Sequence, residues 1–509
     1  MLSEQKISQT EYDNAVSQGI VLTDHTQDSQ FMYSQMVHLE LHNILNNLEI
    51  EAKNLTIHTY FDTVAQEALD RGYAVLDGST IPEQDKIMML ADNATNAIIA
   101  FSGSKLDNTM RQCGSLIKPV LCYASGFEKN TFYPASQILD EAINYNGYAP
   151  HNVDGSYHGW VSTRYALSHS LNIPAVKALD YVGLDYAIPF AKKFGIPFRH
   201  QDNHLALALG AMQQGTTIQQ MLDTYITFAN SGKYAKSGFI SKIVDAEGNI
   251  LYARKVARDT ACMDSTAFLI NDILLDCSKS GTAKKIGTLG KNIASKTGTV
   301  GSSDHTNTDA WCVSYTPKHT IISWCGNTTA DTANNLAKIQ NGGTICSNSI
   351  YTTIKNYKNM DYSTQFSKPK NVNKHYIDKD ALENDHLVCL SDTDTGISDY
   401  FVDTNLPKTA NINDVEKFII KYNQQDNAIF WENGKNSEYV VFCTDTNGKI
   451  KQIPFDTKDN INIVNVPTDT NKIWVQRTQK GQVTQSNTIE LFNKNKTSIF
   501  KKLSKIWLR

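Results

Sequence analysis

The chain has 509 residues, of which 41% are hydrophobic and 20% are charged, and its formal net charge is −4. This length allows two to four domains, the composition is that of an ordinary soluble protein, and the small net charge gives no reason to expect a nucleic-acid partner. Nine cysteines without a Cys-x-x-Cys pair argue against a disulfide framework or a zinc site, so neither a metal nor a cofactor is expected.

The first 55 residues are predicted to be polar and helical. An apolar pattern between Met36 and Ile50 predicts an amphipathic helix that packs against another part of the protein. No apolar run approaches the roughly 18 residues that a membrane-spanning helix needs. Residues 1–28 also lack the apolar core of a secretory signal. The sequence therefore predicts neither a membrane span nor a cleaved leader.

Residues 56–355 are predicted to form one domain in which helices flank an antiparallel sheet. Thr216 and Thr217 are predicted to cap a helix that Gly232 ends. After residue 292 the pattern changes from helices to strands. The candidate strands are 56–61, 97–101, 293–300, 310–315 and 320–325, and a further helix is predicted at 63–71. This order indicates the α+β class rather than a doubly wound sheet.

The remainder of the chain is predicted to be rich in strands. Residues 356–380 are polar and are interpreted as a linker, and residues 381–493 as a small β-sandwich domain. Its candidate strands are 428–431, 439–443, 461–466, 472–477 and 488–492. The basic tail, residues 494–509, suits contact with an anionic membrane surface, although a solvated terminal segment is the favoured alternative.

The pattern Ser-x-x-Lys occurs five times, whereas Ser-x-Asn and Lys-Thr-Gly each occur once. The five copies are Ser3/Lys6, Ser102/Lys105, Ser115/Lys118, Ser367/Lys370 and Ser498/Lys501. Only Ser115 has both a glycine before it and a proline after its lysine. Pro119 is tolerated only in the first turn of a helix, so a helix is predicted to begin close to Ser115. Ser115 would then lie at the positive end of the helix dipole, and Gly114 would allow a tight entry turn.

Ser115 is the candidate nucleophile, and Lys118 is its candidate base. A serine hydroxyl is a poor nucleophile until a base takes its proton. Lys118 lies three residues on, which places it on the same helical face as Ser115. It can accept a proton only if its pKa is lowered, and burial or a neighbouring cation such as Lys296 would lower it.

Ser170-Leu171-Asn172 contains two further candidate site residues. The Ser170 hydroxyl could relay a proton toward a leaving group, and the Asn172 amide could hold the backbone of a peptide substrate. The alternative for this motif is structural, with Ser170 and Asn172 capping a turn before Pro174.

Lys296-Thr297-Gly298-Thr299 is predicted to lie on a strand. Gly298 would let a substrate peptide pass close to the backbone, and Lys296 with the Thr297 and Thr299 hydroxyls would suit a carboxylate. Backbone N–H groups of Ser115 and Thr299 are candidates for an oxyanion hole. The alternative is an exposed edge strand on which a lysine discourages aggregation.

Other chemistries have little support in the sequence. It contains neither His-Glu-x-x-His nor a phosphate-binding loop, because Thr216 follows Gly215 where that loop needs lysine. His169 is interpreted as a structural residue and not as the base of a catalytic triad. Cys113 is interpreted as a packing residue.

The three motifs in this order are typical of penicillin-binding proteins and class A β-lactamases. Residues from about 56 to 355 resemble the transpeptidase domain of class A penicillin-binding proteins, the bifunctional peptidoglycan synthases. The stretches that carry this resemblance are 114–119, 150–152, 157–159, 166–176, 208–210, 228–232, 281–283, 296–299, 309–311 and 324–327. The resemblance implies a β-lactamase/transpeptidase-like fold.

The resemblance also implies a role for each motif residue. Ser115 would attack the penultimate D-alanine of a stem peptide, Lys118 would act as its base, and Ser170 would pass a proton to the departing D-alanine. The catalytic centre would be completed by Lys296. The substrate would be positioned by Asn172, Thr297, Gly298 and Thr299, together with Lys296. The family implies that the ligands are peptidoglycan stem peptides and β-lactams. It also implies cell-wall synthesis proteins as possible partners, and a location at the membrane or wall outside the cytoplasm.

The chain departs from the family pattern in two respects. Cys113, Leu116 and Ile117 replace the usual proline, threonine and phenylalanine around the serine, which leaves drug sensitivity open. Residues 1–20 resemble the final helix of the family's glycosyltransferase domain, but its catalytic glutamates and membrane anchor are not in the sequence. We therefore expect a truncated form or a fragment, with residues 1–55 as remnant and linker and no glycan polymerisation by this chain. Residues 381–493 resemble the fibronectin type III-like domains of some relatives.

Three functions remain open at the level of the sequence. The first is a D-Ala-D-Ala transpeptidase that acts through an acyl-serine. The second is a D,D-carboxypeptidase or β-lactamase with water as the acceptor, although no glutamate that would activate water can be assigned. The third is a non-catalytic penicillin-binding sensor or scaffold, which the intact set of motif residues disfavours.

Overall fold

The computed structural model describes residues 8, 29–49, 54–103, 110–145, 147–329, 331–391, 393 and 395–407. It also describes residues 420–491, except 424–425, 433–436, 447, 459–460, 480–481 and 487. Apart from Ser8, the predicted remnant at residues 1–20 lies outside the described residues, as does the basic tail at 494–509.

Eleven α-helices and twenty-three strands are formed by the described residues. The helices are α1 (Ser29–Leu48), α2 (Thr63–Asp77), α3 (Ser125–Glu128), α4 (Thr163–Ser168), α5 (Asn172–Val182), α6 (Leu184–Lys192), α7 (Ile218–Ala229), α8 (Asp264–Lys279), α9 (Lys284–Gly287), α10 (Ser347–Asn356) and α11 (Lys379–Asp385). The strands up to residue 326 are β1 (Thr56–Thr59), β2 (Asp85–Asp92), β3 (Ala97–Gly103), β4 (Gln137–Asp140), β5 (Gly159–Ser162), β6 (Lys233–Tyr234), β7 (Ile240–Val244), β8 (Ile250–Ala253), β9 (Asp259–Thr260), β10 (Ala294–Gly301), β11 (Asn307–Tyr315) and β12 (His319–Gly326). The later strands are β13 (Val372–Tyr376), β14 (Ser398–Val402), β15 (Lys421–Asn423), β16 (Ala428–Glu432), β17 (Ser437–Asp445), β18 (Ile450–Ile453), β19 (Asp456–Lys458), β20 (Ile461–Asn465), β21 (Thr470–Gln479), β22 (Gln482–Gln485) and β23 (Ile489–Glu490).

A five-stranded antiparallel sheet with the order β10-β11-β12-β2-β3 forms the centre of the larger domain. Tyr315 pairs with Thr320 in the β11–β12 register, and the Tyr315 ring packs 5.9 Å from the Tyr225 ring of α7. Ser323, three residues beyond Thr320, bonds instead to the Ser349 hydroxyl of α10 at 2.8 Å. Because side chains alternate along a strand, α7 and α10 lie on opposite faces of the sheet. The predicted α+β architecture is confirmed.

Helix α1 packs against the domain as its apolar pattern predicts, although it begins earlier than Met36. The Tyr33 hydroxyl donates to the Ile98 carbonyl oxygen of β3 at 2.8 Å, and its ring packs 4.8 Å from Phe61. Glu40 accepts a hydrogen bond from the Phe239 backbone N–H at 2.5 Å. Among the described residues, no helix has the length and apolar character needed to cross a bilayer.

The range 356–380, predicted as a linker, contains strand β13, which pairs with β14. Beyond it, two antiparallel sheets, β15-β16-β20-β19 and β18-β17-β21-β22 with β23, enclose a second core. Trp431 from the first sheet packs 5.5 Å from Tyr439 of the second. Ile429, Val441 and Val475 are fully buried between the sheets. The strand spacing predicted this β-sandwich.

The cap of α7 provides a test of local stability. The Thr217 hydroxyl accepts a hydrogen bond from the Gln220 backbone N–H at 3.1 Å, and the Thr217 N–H donates in return to the Gln220 side-chain oxygen at 2.9 Å. We expect Thr217→Ala to lower the free energy of unfolding by about 1 kcal/mol, measured by urea denaturation. Thr217→Ser keeps the cap oxygen and should retain most of the stability. Equal losses in both variants would show that the cap contributes little.

Candidate active site

Ser115 lies where helical structure begins, as the sequence predicts. Residues Gly114–Ile117 form a 3₁₀ turn, Pro119–Ala124 a π turn, and α3 follows. Pro119 occupies the first turn of its segment, where its missing N–H is not needed. Short π segments inside helices are frequent at functional sites because they redirect side chains. Ser115 is half-buried and thus reachable from solvent, whereas Lys118 is fully buried.

The backbone of Gly114 is enclosed on two sides. Gly114 has a φ of +53°, and a Cβ atom added to it would lie 2.7 Å from the Thr299 carbonyl oxygen. A Cβ atom added to Gly210 would lie 2.5 Å from the Gly114 nitrogen. Similarly, a Cβ atom on Gly298 would lie 2.7 Å from the Cys113 carbonyl oxygen. These contacts bring the end of β10 directly against the turn that carries Ser115.

Lys118 is held by three oxygens from one turn between α4 and α5. Its Nζ donates to the Ser170 carbonyl at 2.7 Å, to the Leu171 carbonyl at 3.1 Å and to Asn172 Oδ1 at 2.7 Å. Three acceptors are the full complement of an ammonium group, so the position of the nitrogen is fixed. Lys118 also contacts the Ser170 hydroxyl at 3.4 Å.

Ser170 adopts the left-handed conformation, with a φ of +60°. This conformation costs a non-glycine residue about 1 kcal/mol or more, and it is found at functional sites where the surroundings enforce it. The turn directs the carbonyl groups of Ser170 and Leu171 toward Lys118. The Ser170 hydroxyl receives a second hydrogen bond from Lys296 Nζ at 2.7 Å. Since its oxygen already accepts from Lys296, its own hydrogen is left to donate to another group.

Burial lowers the pKa of both lysines. The pKa of Lys118 lies well below its usual range because the side chain is desolvated and because Lys296 adds a like charge. Burial also lowers the pKa of Lys296, to about 8. An unprotonated Lys118 is therefore within reach near neutral pH, as a base for Ser115 requires.

Strand β10 presents Lys296, Thr297 and Thr299 along the edge of the central sheet. Lys296 and Thr297 are buried, and Thr299 is half-buried. The Thr297 hydroxyl donates to the Thr282 hydroxyl at 2.7 Å, which fixes its orientation. Strand β10 pairs with β11 on one side and has no second partner among the described strands. An extended peptide could add to this edge.

The structure brings the eight predicted site residues into one region, but sequence reasoning missed two of its supports. Thr282 orients Thr297, and Asn152 Oδ1 accepts from the backbone N–H of Asn172 at 2.8 Å. Both lie in stretches that carry the family resemblance, which was the only signal available, and neither was assigned a role. Within the described residues, no cluster of three His, Cys, Asp or Glu side chains is arranged to hold a metal.

Comparisons with known proteins agree on one domain. Residues 87–325 match the family model described as the penicillin binding protein transpeptidase domain. Penicillin-binding protein 1A/1B of Bacillus subtilis (strain 168) is 30% identical over 353 residues, and the match covers 63% of this chain and 38% of that protein. Penicillin-binding protein 1F of the same organism is 33% identical over 266 residues, 52% of this chain and 36% of that protein. The chain thus spans less than half the length of these relatives.

Solved structures show the same fold. The PonA1 protein from Mycobacterium tuberculosis in complex with penicillin V is 24% identical, with a TM-score of 0.59, over 67% of this chain and 96% of that one. Penicillin-binding protein 1A from Haemophilus influenzae is 19% identical, with a TM-score of 0.65, over 81% of each chain. The prediction of a β-lactamase/transpeptidase-like fold is confirmed.

The close packing at Gly114 can be tested through Gly210. We expect Gly210→Ala to lower the free energy of unfolding by about 2 kcal/mol more than Gly248→Ala does. Both glycines have a positive φ, +83° and +88°, but a Cβ atom at Gly248 meets nothing within 4 Å. The control variant therefore carries only the backbone strain, about 1–3 kcal/mol. Equal losses in chemical denaturation would contradict tight packing at Gly114.

Proposed function

We propose that this chain cross-links peptidoglycan stem peptides through an acyl-serine, since residues 87–325 match the penicillin binding protein transpeptidase domain. The observation that carries the proposal is a half-buried Ser115, three residues before a fully buried Lys118 that two carbonyls and the Asn172 amide hold. A lysine in this state can serve as a base, which a serine nucleophile requires.

In the first half-reaction, the Ser115 oxygen attacks the carbonyl carbon of the penultimate D-alanine. Lys118 takes the Ser115 proton, and an ester bond to Ser115 replaces the peptide bond to the terminal D-alanine. The leaving nitrogen needs a proton, and the hydroxyl of Ser170 can donate one because its oxygen already accepts from Lys296. The proton on Lys118 then restores Ser170, and free D-alanine leaves.

In the second half-reaction, the amine of another stem peptide attacks the ester carbonyl. The new peptide bond forms, the bond to the Ser115 oxygen breaks, and the amine proton returns to Ser115 through Lys118 and Ser170. The net result is a cross-link in place of one terminal D-alanine. No metal or cofactor takes part in this scheme.

The donor peptide is proposed to bind as an extra strand on β10. Its terminal carboxylate would contact Lys296, Thr297 and Thr299. Gly298, which the sequence suggested would let the peptide backbone come close, instead makes room for the Cys113 carbonyl of the turn that carries Ser115. The Asn172 amide has one N–H bonded to the His151 carbonyl at 2.7 Å, which leaves its other N–H for the peptide. Backbone N–H groups of Ser115 and Thr299 would form the oxyanion hole.

β-Lactams resemble the donor peptide in carrying a carboxylate near an amide, which in the lactam ring is strained, and the PonA1 structure holds penicillin V. We extend this binding to Ser115 here. The substrate also implies a site on the outer side of the cytoplasmic membrane. The sequence predicted domains at residues 1–55, 56–355 and 381–493, with 356–380 as a linker and 494–509 as a tail. We propose one change to these boundaries: β13 and β14 pair across the predicted linker, and the β-sandwich contains only the strands from β15 on.

Acylation by a fluorescent penicillin tests the proposed function. We expect a stable adduct on the wild-type chain, with the mass of the intact drug added to the peptide that contains Ser115. Ser115→Ala should abolish the adduct. Ser367→Ala is the matched control because Ser367 belongs to another Ser-x-x-Lys copy and is exposed, so its labelling should be unchanged. Absence of a wild-type adduct, or labelling that survives Ser115→Ala, would refute the proposal.

The rate of acylation is expected to follow a bell-shaped dependence on pH. On the acid side it rises with pH as Lys118 loses its proton, and this limb lies well below pH 10.5 because burial and Lys296 lower the Lys118 pKa. On the alkaline side it falls above a pH of about 8, where Lys296 loses the charge that binds the carboxylate. Stopped-flow acylation with a fluorescent penicillin would measure both limbs.

The Lys296→Arg variant tests whether Lys296 causes the alkaline limb of the pH profile. Arginine keeps its charge over this whole range, so the alkaline limb near pH 8 should vanish even if the overall rate falls. An alkaline limb that stays at the same pH in this variant would rule out Lys296 as its cause. A wild-type rate that does not decrease toward acid pH would rule out Lys118 as the base.

A further inference from the structure

We propose that Asn152 is a positioning residue for acyl transfer, which holds Asn172 in the one orientation that places an oxygen on Lys118. The inference rests on the function proposed above and adds a residue that the three motifs do not contain. Asn152 lies in the loop between β4 and β5 and is only 5% exposed. The oxygen and the nitrogen of its side-chain amide both make hydrogen bonds, and each has a different structural role.

The oxygen of Asn152 caps helix α5 from outside the helix. Oδ1 accepts from the backbone N–H of Asn172 at 2.8 Å and from that of Ile173 at 3.3 Å. The residue in the N-cap position, Leu171, has no side chain that could accept a hydrogen bond. Free N–H groups at a helix start need an acceptor. Asn152 supplies it and thereby fixes the backbone of Asn172.

The nitrogen of Asn152 is fixed by a buried carboxylate. Nδ2 lies 2.9 and 2.7 Å from the two oxygens of Asp140 and 2.9 Å from the Ser156 carbonyl. Asp140 is completely buried and accepts two further hydrogen bonds, from the backbone N–H of His158 at 3.0 Å and from its ring at 2.7 Å. Because a carboxylate accepts and does not donate, the Asn152 amide cannot flip.

The same loop determines which end of the Asn172 amide faces Lys118. Asn172 Nδ2 donates to the His151 carbonyl oxygen at 2.7 Å. A carbonyl oxygen can only accept, so Asn172 must turn Oδ1 the other way, where Lys118 Nζ donates to it at 2.7 Å. Residues 151 and 152 thus fix the backbone and the side chain of Asn172 at once. Without them, Lys118 would lose one of its three acceptors.

The first test compares Asn152→Ala with Asn93→Ala. Asn93 is also a buried asparagine whose amide is bonded at both ends, to the Thr316 carbonyl at 2.9 Å and the Thr320 hydroxyl at 2.7 Å. Both variants should lower the melting temperature. Only Asn152→Ala should reduce the acylation rate by fluorescent penicillin, by about 100-fold, because the base is displaced.

The pH profile distinguishes positioning from loss of stability. Removing an acceptor from the Lys118 ammonium group lowers the Lys118 pKa, so the acid limb of the acylation profile should move to lower pH in Asn152→Ala and stay in place in Asn93→Ala. A rate and an acid limb that match those of the control variant would overturn the inference. If the wild-type chain is not acylated at all, the proposed function itself fails.

A charge exchange gives a second test that holds even if Asn152→Ala does not fold. Asn152→Asp places a second buried carboxylate against that of Asp140. The two repel each other, so acylation should slow at least about 10-fold. Adding Asp140→Asn restores the amide–carboxylate pair in reverse, and the aspartate at 152 still accepts from Asn172. We expect the double variant to recover part of the rate that Asn152→Asp loses, but not all of it, because the Ser156 carbonyl loses its donor in both variants. A double variant as slow as Asn152→Asp would show that this pair does not set the position of Asn172.

Discussion

The active site depends on the hydrogen bonds that allow the amine of Lys118 to be buried inside the protein. Lys118 is fully buried, and an amine in that position must have hydrogen-bond acceptors. The turn of residues 170–172 provides three of them at 2.7, 3.1 and 2.7 Å. Three other features of the site support this arrangement. The left-handed Ser170 directs two carbonyls toward Lys118, Asn152 caps α5 at Asn172, and Pro119 fixes where the helical segment of Ser115 and Lys118 begins.

Two opposing effects act on the Lys118 amine. Burial and the nearby charge of Lys296 lower its pKa, whereas the three acceptors stabilise the ammonium form. The acceptors fix where the nitrogen lies, and desolvation makes its proton easy to lose. Both lysine nitrogens also lie near the Ser170 hydroxyl, at 3.4 and 2.7 Å, so protonating both would place two buried like charges at one oxygen. Such a pair costs stability, which is typical of a site selected for chemistry and not for stability alone.

Sequence reasoning predicted the parts of this site that depend on local chemistry. Pro119 restricts where a helix begins, so Ser115 could be chosen among five copies of its motif. The apolar pattern also predicted four strands of the central sheet, β3, β10, β11 and β12, but it missed β2 (Asp85–Asp92), which lies between β12 and β3. The contacts between distant segments could not be predicted in this way. Asn152 is an ordinary polar loop residue in sequence, and only folding brings it to the start of α5. The strand at 372–376 was interpreted as linker because Lys, Asn and His dominate it and its partner strand lies more than twenty residues on.

The support of the site extends beyond the residues that match the family model. Arg164 of α4, six residues before Ser170, bonds to Asp276 at 2.8 Å and Asp272 at 2.6 Å on α8, and to Asp399 on β14. One guanidinium thus joins three elements, which its planar set of five donors permits and a lysine would not. Helix α8 leads to Thr282, the partner of Thr297, while α4 leads to the turn that holds Lys118. Because Asp399 lies outside residues 87–325, the antiparallel pair of β13 and β14 supports α4, and through it the Ser170 turn, from beyond the matched domain.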